Sequence, residues 1–334
     1  MSRTAPFVLA FLVLAAAVQA APAPVAPTAP AAPAPVAPPD TEVFVATLDL
    51  AAGKVGTPRN VTERPGYDNQ PAFLLDGSAL LYVAASDGGN TDVFRYDFAS
   101  GTRTQLTASA EAEYSPTPLA DGSGFSAVRV EAPRAEGEPY TESQRLFRYG
   151  FDGQPIAPVH AAWRRVGYHA WLDDGRVALF LVGGGPDQLP NSLVLATVAD
   201  GKQLPLAKGI GRSLARSPDG RLTFVDQSIA GAWSIATILP GDAKPTALVA
   251  TPVVVGEKEG ERSQDFCWLA DGTLLMARGT KLLRFDPQQP AAGFTTLAEL
   301  AVPGDIRRLA ASRDGTRLAF VVELKAVVTR GIRG

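Results

Sequence analysis

The dipeptide Asp-Gly recurs six times between two apolar runs, at Asp76-Gly77, Asp121-Gly122, Asp174-Gly175, Asp219-Gly220, Asp271-Gly272 and Asp314-Gly315. The spacings are 45, 53, 45, 52 and 43 residues. Asp-Gly in that setting closes a hairpin, because glycine accepts the positive φ of a tight turn. Three further copies, at Asp87-Gly88, Asp152-Gly153 and Asp200-Gly201, lack the context and read as other turns. An apolar strand follows each of the six, from Ala79 to Val83, Phe125 to Val130, Val177 to Val182, Leu222 to Val225, Leu274 to Ala277 and Leu318 to Val322. A third strand recurs, as at Val93 to Tyr96, Leu146 to Tyr149 and Trp233 to Ala236, and a fourth is clearest at Thr104 to Thr107. Four short strands per period of about 45 residues is the arithmetic of a β-propeller blade.

The ends complete the count. Val43 to Ala46 and Arg59 to Thr62 read as strands three and four, whereas one clear strand follows the last Asp-Gly. The expected fold is therefore an all-β, six-bladed propeller of four-stranded antiparallel blades over residues 41–325. Five blades are continuous, and the sixth is a composite of N- and C-terminal strands that hides exposed sheet edges. Residues 326–334 are left as a tail.

The first forty residues lie apart from this repeat. Arg3 precedes an apolar run from Phe7 to Val18, and Val18-Gln19-Ala20 offers small residues at alternate positions, which is the pattern of a cleaved signal peptide over residues 1–20. The run is too short to span a membrane, which takes about 20 apolar residues. Residues 21–40 hold eight prolines and read as an extended, disordered spacer. In a chain of 334 residues with a formal charge of −3, no basic excess suggests nucleic acid. One cysteine, Cys267, and two histidines exclude a disulfide scaffold and a histidine-built metal site. No Gly-x-Ser-x-Gly, P-loop or paired metal-binding histidines appear.

The pattern Ser-x-Asp-Gly followed by an apolar strand, plainest from Ser217 to Phe224 and from Ser312 to Phe320, resembles TolB-type propeller repeats. The Leu106-Thr107 ending also matches. The resemblance covers about Thr41 to Glu323 and speaks to fold more than to function. It implies a periplasmic protein that scaffolds contacts at the cell envelope, including a docked outer-membrane lipoprotein. The α/β domain that precedes the propeller in TolB is replaced here by the Pro/Ala arm.

The two long periods place extra residues at Glu131 to Gln144 and around Gly256 to Gln264, both on the face opposite the Asp-Gly turns. Loops on a rigid scaffold commonly carry binding. Segments entering the first strand of each blade bring Tyr67, Asp68, Asn69, Glu113, Tyr114, Tyr168, His169, Arg212, Gln264, Asp265, Asp305, Arg307 and Arg308 to the central funnel of that face. Such a mixture suits a peptide or a polar small molecule; an ordinary solvated rim is the alternative. Asn69, Glu113 and Asp265 are oxygen donors of the kind a central Ca²⁺ takes, yet the neighbouring arginines oppose it. His169 reads as a structural histidine before a general base, and Cys267 as a buried, inert thiol.

These features lead to a secreted or periplasmic, monomeric, non-enzymatic scaffold that binds an envelope protein or peptide, with no catalytic residues, metal or cofactor. The alternative is a metal-assisted hydrolase or lyase acting on a sugar or lactone in the funnel.

Overall fold

A computed structural model describes residues 39–85, 90–131, 140–184, 189–253 and 262–325. The expected signal peptide, most of the Pro/Ala arm, the C-terminal tail and the bulk of both insertions lie outside the described residues. Six antiparallel sheets form a ring. Their innermost strands are Asp68–Phe73, Ala112–Pro118, Val166–Asp173, Ile210–Arg216, Phe266–Trp268 and Gly304–Ala311. The fold is the expected six-bladed propeller. The described residues hold only short 3-10 turns as helix, none long and apolar enough to cross a membrane.

The sixth sheet contains both ends of the ring. Thr41–Asp49 pairs with Arg317–Leu324 from Thr41↔Glu323 to Thr47↔Arg317, and Gly304–Ala311 lies inside them. Arg59–Asn60 and Lys54–Val55 form its outer edge. The N- and C-terminal strands of the ring are thus held to each other by backbone hydrogen bonds, in the order the repeat count required.

Apolar packing sits between blades rather than at the axis. On the second strand Ala79–Ala85, Leu80 and Tyr82 face the composite blade beside Val321, while Leu81 meets Phe125 of the second blade. Alternate side chains on a strand point to opposite faces, so a strand covered on both sides is apolar throughout. The same alternation fills every seam: Val128 with Leu179, Phe180 with Phe224, Val225 with Phe285, and Leu275 with Phe320.

The repeat signature has a local cause. In the last turn, Ser312 Oγ donates to Asp314 Oδ1 at 2.6 Å and accepts from the Arg317 amide at 2.9 Å, tying the first strand to the second. Gly220 and Gly315 take φ of 86° and 73° in these turns. The third turn departs from the expectation. There the first strand runs through a bulge to an Asp173↔Arg176 pair, and Gly175 does not adopt a left-handed conformation.

The outer strands also end earlier than the sequence suggests. Thr62 and Thr107 lie just beyond Arg59–Asn60 and Arg103–Gln105, where their hydroxyls accept the amides of Val43 and Val93 at 3.0 and 2.8 Å. A side chain replaces the ladder bond at those positions. Trp233, expected on a third strand, precedes Ser234–Ile238 and is buried in the seam between the fourth and fifth blades.

Phe44 and Phe320 are register partners and stack at 6.0 Å across the closing pair. Phe320→Ala should cost about 3–5 kcal/mol, because the fully buried ring leaves a cavity at the seam. Urea denaturation checks this; a loss below about 1 kcal/mol would mean that closure contributes little to global stability.

Candidate functional site

The innermost strands slip register partway along. The breaks fall between Asn69 and Ala72, Tyr114 and Thr117, Val166 and Tyr168, Ile210 and Leu214, and Arg307 and Leu309. Gln70, Ser115 and Arg308 occupy three of these bulges with φ of 54°, 53° and 40°. Non-glycine residues pay on the order of 1 kcal/mol for that conformation. A bulge re-aims side chains, and here it opens the strands toward the axis. Gln70 Oε1 accepts the Ser115 amide at 2.6 Å, linking two adjacent bulges.

At the starts of these strands, away from the Asp-Gly turns, lies a funnel of about 490 Å³. Its wall includes Tyr67, Asn69, Tyr168, Arg212, Arg262, Gln264, Asp265, Arg307, Arg308 and Glu323. A narrower space of about 170 Å³ continues along the axis past Gln70, Ser115, Thr117 and His169. Tyr168, Arg212 and Arg308 line both spaces and form the constriction between them.

Asp265 organises this constriction. Its side chain is only 2% exposed. It accepts from Arg212 Nε at 3.1 Å and Nη2 at 2.6 Å, and from Ser213 Oγ at 3.2 Å. Arg308 Nη1 stands 3.5 Å away. Burial alone would raise the Asp265 pKa, but the guanidiniums of Arg308 and Arg212 outweigh it and hold the carboxyl well below the usual range. Arg308 also donates from Nη2 to the Tyr168 hydroxyl at 2.8 Å, with its guanidinium 4.9 Å from the ring centroid. Farther out, Arg307 pairs with Glu323 at 3.0 Å. Arg262 rests over Trp233, and its Nε and Nη1 have no hydrogen-bond partner among the described residues. Burial pushes the Tyr67 phenol up to about 12, so it stays a neutral donor. Among the described residues, four arginines against two carboxylates give this wall a net positive charge.

Other sequence candidates sit elsewhere. Asp68 is fully buried with Arg64 Nε 3.0 Å away, because its neighbour Asn69 takes the axial side of the strand. Burial pushes Asp68 up to about 7, against the pull of Arg64. Glu113, also fully buried, accepts from Ser109 Oγ at 2.8 Å and Tyr149 OH at 3.3 Å; burial raises its pKa. Tyr114 packs on the apolar seam around Val128 and Trp163. His169 lies in the narrow axial space, its Nε2 2.7 Å from Ser126 Oγ, and burial lowers its pKa to about 3. It is neutral near pH ~7 and no base in that range. Cys267 is buried, and its thiol is pushed up to about 12 by burial.

Arg262, Ser213, Glu323 and the bulge residues Gln70 and Ser115 belong to the site but were not singled out by sequence. Gln70-Pro71 and Ser115-Pro116 did carry a signal: proline has no amide to give a ladder, so it marks a bulge within a strand. Among the described residues, no three His, Cys, Asp or Glu side chains gather where they could hold a metal. The oxygens proposed for a central Ca²⁺ do not fit one: Asp265 is committed to guanidiniums, and Glu113 to Ser109 and Tyr149.

Two measurements test this electrostatic picture. Asp265→Ala should destabilise the chain by on the order of 3 kcal/mol, since it strands Arg212 and Arg308 without a counter-charge. Chemical denaturation reads the loss. For Asp68, the folded pKa of about 7 exceeds the unfolded carboxyl value near ~4, so the folded chain binds more protons between them. Stability should fall as pH rises through that window, by a few kcal/mol at most, and Asp68→Asn should flatten this slope in melts taken across it.

No protein-family model matches the chain, and no curated protein matches it. Solved structures do. A putative TolB from Agrobacterium tumefaciens superposes with a TM-score of 0.62 at 14% identity, covering 85% of this chain and 99% of that one. A gluconolactonase from Xanthomonas campestris gives 0.58 at 17% identity, covering 87% and 99%. TolB from Acinetobacter baumannii gives 0.51 at 13% identity over 85% of this chain, which spans 64% of that longer protein. At such identities the likeness is one of fold. The resemblance carried by the Ser-x-Asp-Gly repeats therefore holds at that level: the chain is a six-bladed propeller structurally similar to TolB, with no α/β domain among the described residues.

Proposed function

We propose that this chain is a secreted, periplasmic propeller that binds a protein or peptide through its central funnel, and that the group it grips is a carboxylate. The observation that carries this reading is the constriction of Arg212, Arg308 and Tyr168 around the buried Asp265. Asp265 fixes the two guanidiniums without matching their combined charge, which preorganises donors for an incoming anion. Tyr67, Asn69 and Gln264 add neutral polar contacts on the wall. The apolar N-terminal run and the TolB-like fold support the extracytoplasmic setting.

The fold likeness to a gluconolactonase keeps a lactone or sugar hydrolase as the competing reading. A cationic wall is poorly suited to gather the oxygen ligands of Ca²⁺, and the binding reading is preferred on that chemistry.

Capture from an envelope extract tests the proposal. Immobilised wild-type chain should retain a partner that Arg308→Ala and Arg212→Ala retain about tenfold less or worse, with binding weakening as salt is raised. If every partner is captured equally by both variants, the funnel is not the binding site. Lactone hydrolysis that depends on added Ca²⁺ would decide for the competing reading.

A further inference from the structure

The seams between the second and third blades and between the fourth and fifth share one device. Trp171 Nε1 donates to Ser126 Oγ of the preceding blade at 2.9 Å, and Trp268 Nε1 donates to Thr223 Oγ1 at 3.2 Å, each across 45 residues of chain. The third strand supplies the residue registered with that hydroxyl. It is Arg148 opposite Ser126, and Thr237 opposite Thr223. Arg148 lays its guanidinium over Trp171, 5.3 Å from the ring centroid, and the cavity beside it measures about 260 Å³. Thr237 is too short to do this. The corresponding cavity beside Trp268 measures about 580 Å³, and no described guanidinium lies over that indole.

The rest of the lining suits such an occupant. Thr237 lines this cavity and is 4% exposed, its short side chain leaving the space beside the indole open. Pro218, Leu248 and Pro287 form apolar walls, and at the rim Asp219 pairs with Arg221 at 3.1 Å, so the nearby charges are already balanced. A planar cation held away from water over an indole is attracted to the ring face.

We propose that the cavity between the fourth and fifth blades is a second binding site, which takes a guanidinium group on Trp268 in the place that Arg148 fills on Trp171. The site lies toward the Asp-Gly turns and is independent of the funnel. Its ligand class is an arginine side chain or a similar organic guanidinium.

Titration of the full chain with N-acetyl-arginine methylamide, followed by calorimetry and tryptophan fluorescence, tests this. Saturable binding is expected, with the neutral citrulline counterpart at least about tenfold weaker. Thr237→Arg should abolish binding by supplying the guanidinium from within the chain. Trp268→Leu should weaken it at least about tenfold and settles the matter if Thr237→Arg fails to fold. The proposal is overturned if the wild-type chain shows no saturable binding, if citrulline binds as well as arginine, or if either folded variant binds the arginine compound with unchanged affinity.

Discussion

Every blade depends on having a blade on each side. Second strands such as Ala79–Ala85 are buried on both faces, so a free terminal blade would expose one apolar face of its sheet to water. At roughly 25 cal/mol per Å², every 400 Å² or so of apolar surface left open would cost about 10 kcal/mol, the size of a typical margin of stability. Pairing Thr41–Asp49 with Arg317–Leu324 removes that exposure by making the last seam like the others. The two seams that flank the composite blade are therefore completed only when the chain's most distant strands meet.

Because the apolar contacts run radially between sheets, the axis is left to polar groups. The strands that line it break their own ladders at Gln70, Ser115 and Arg308, trading regular hydrogen bonding for polar side chains along the axial space. Strained backbone of this kind persists where its surroundings over-determine it, and the Gln70–Ser115 bond shows one such restraint. Rigid seams and an irregular, charged centre are thus two results of one arrangement.

Much of the architecture was legible because a turn chemistry recurs at a measurable interval. Asp-Gly and its Ser partner are local signals, and six of them set the number of blades and the composite closure. The site was legible in part. Knowing where first strands begin put Tyr67, Asn69, Tyr168, Arg212, Gln264, Asp265 and Arg307 at one funnel. It did not separate Asn69 from Asp68, since adjacent residues point to opposite faces and a bulge resets that alternation. Glu113 and Tyr114 illustrate the same difficulty: the first turns to Ser109 and Tyr149, the second to an apolar seam. Arg262 and Glu323 come from outside the first strands and meet the others only through tertiary geometry.

The burial of Cys267 has a practical corollary. It lies on the innermost strand of the fifth blade, packed with Leu275, Leu318 and Phe320 in the seam with the composite blade. A thiol held protonated and out of solvent reacts with alkylating reagents only after that seam parts. Its labelling rate is thus an intrinsic clock for the ring springing open, readable from one atom without adding a probe.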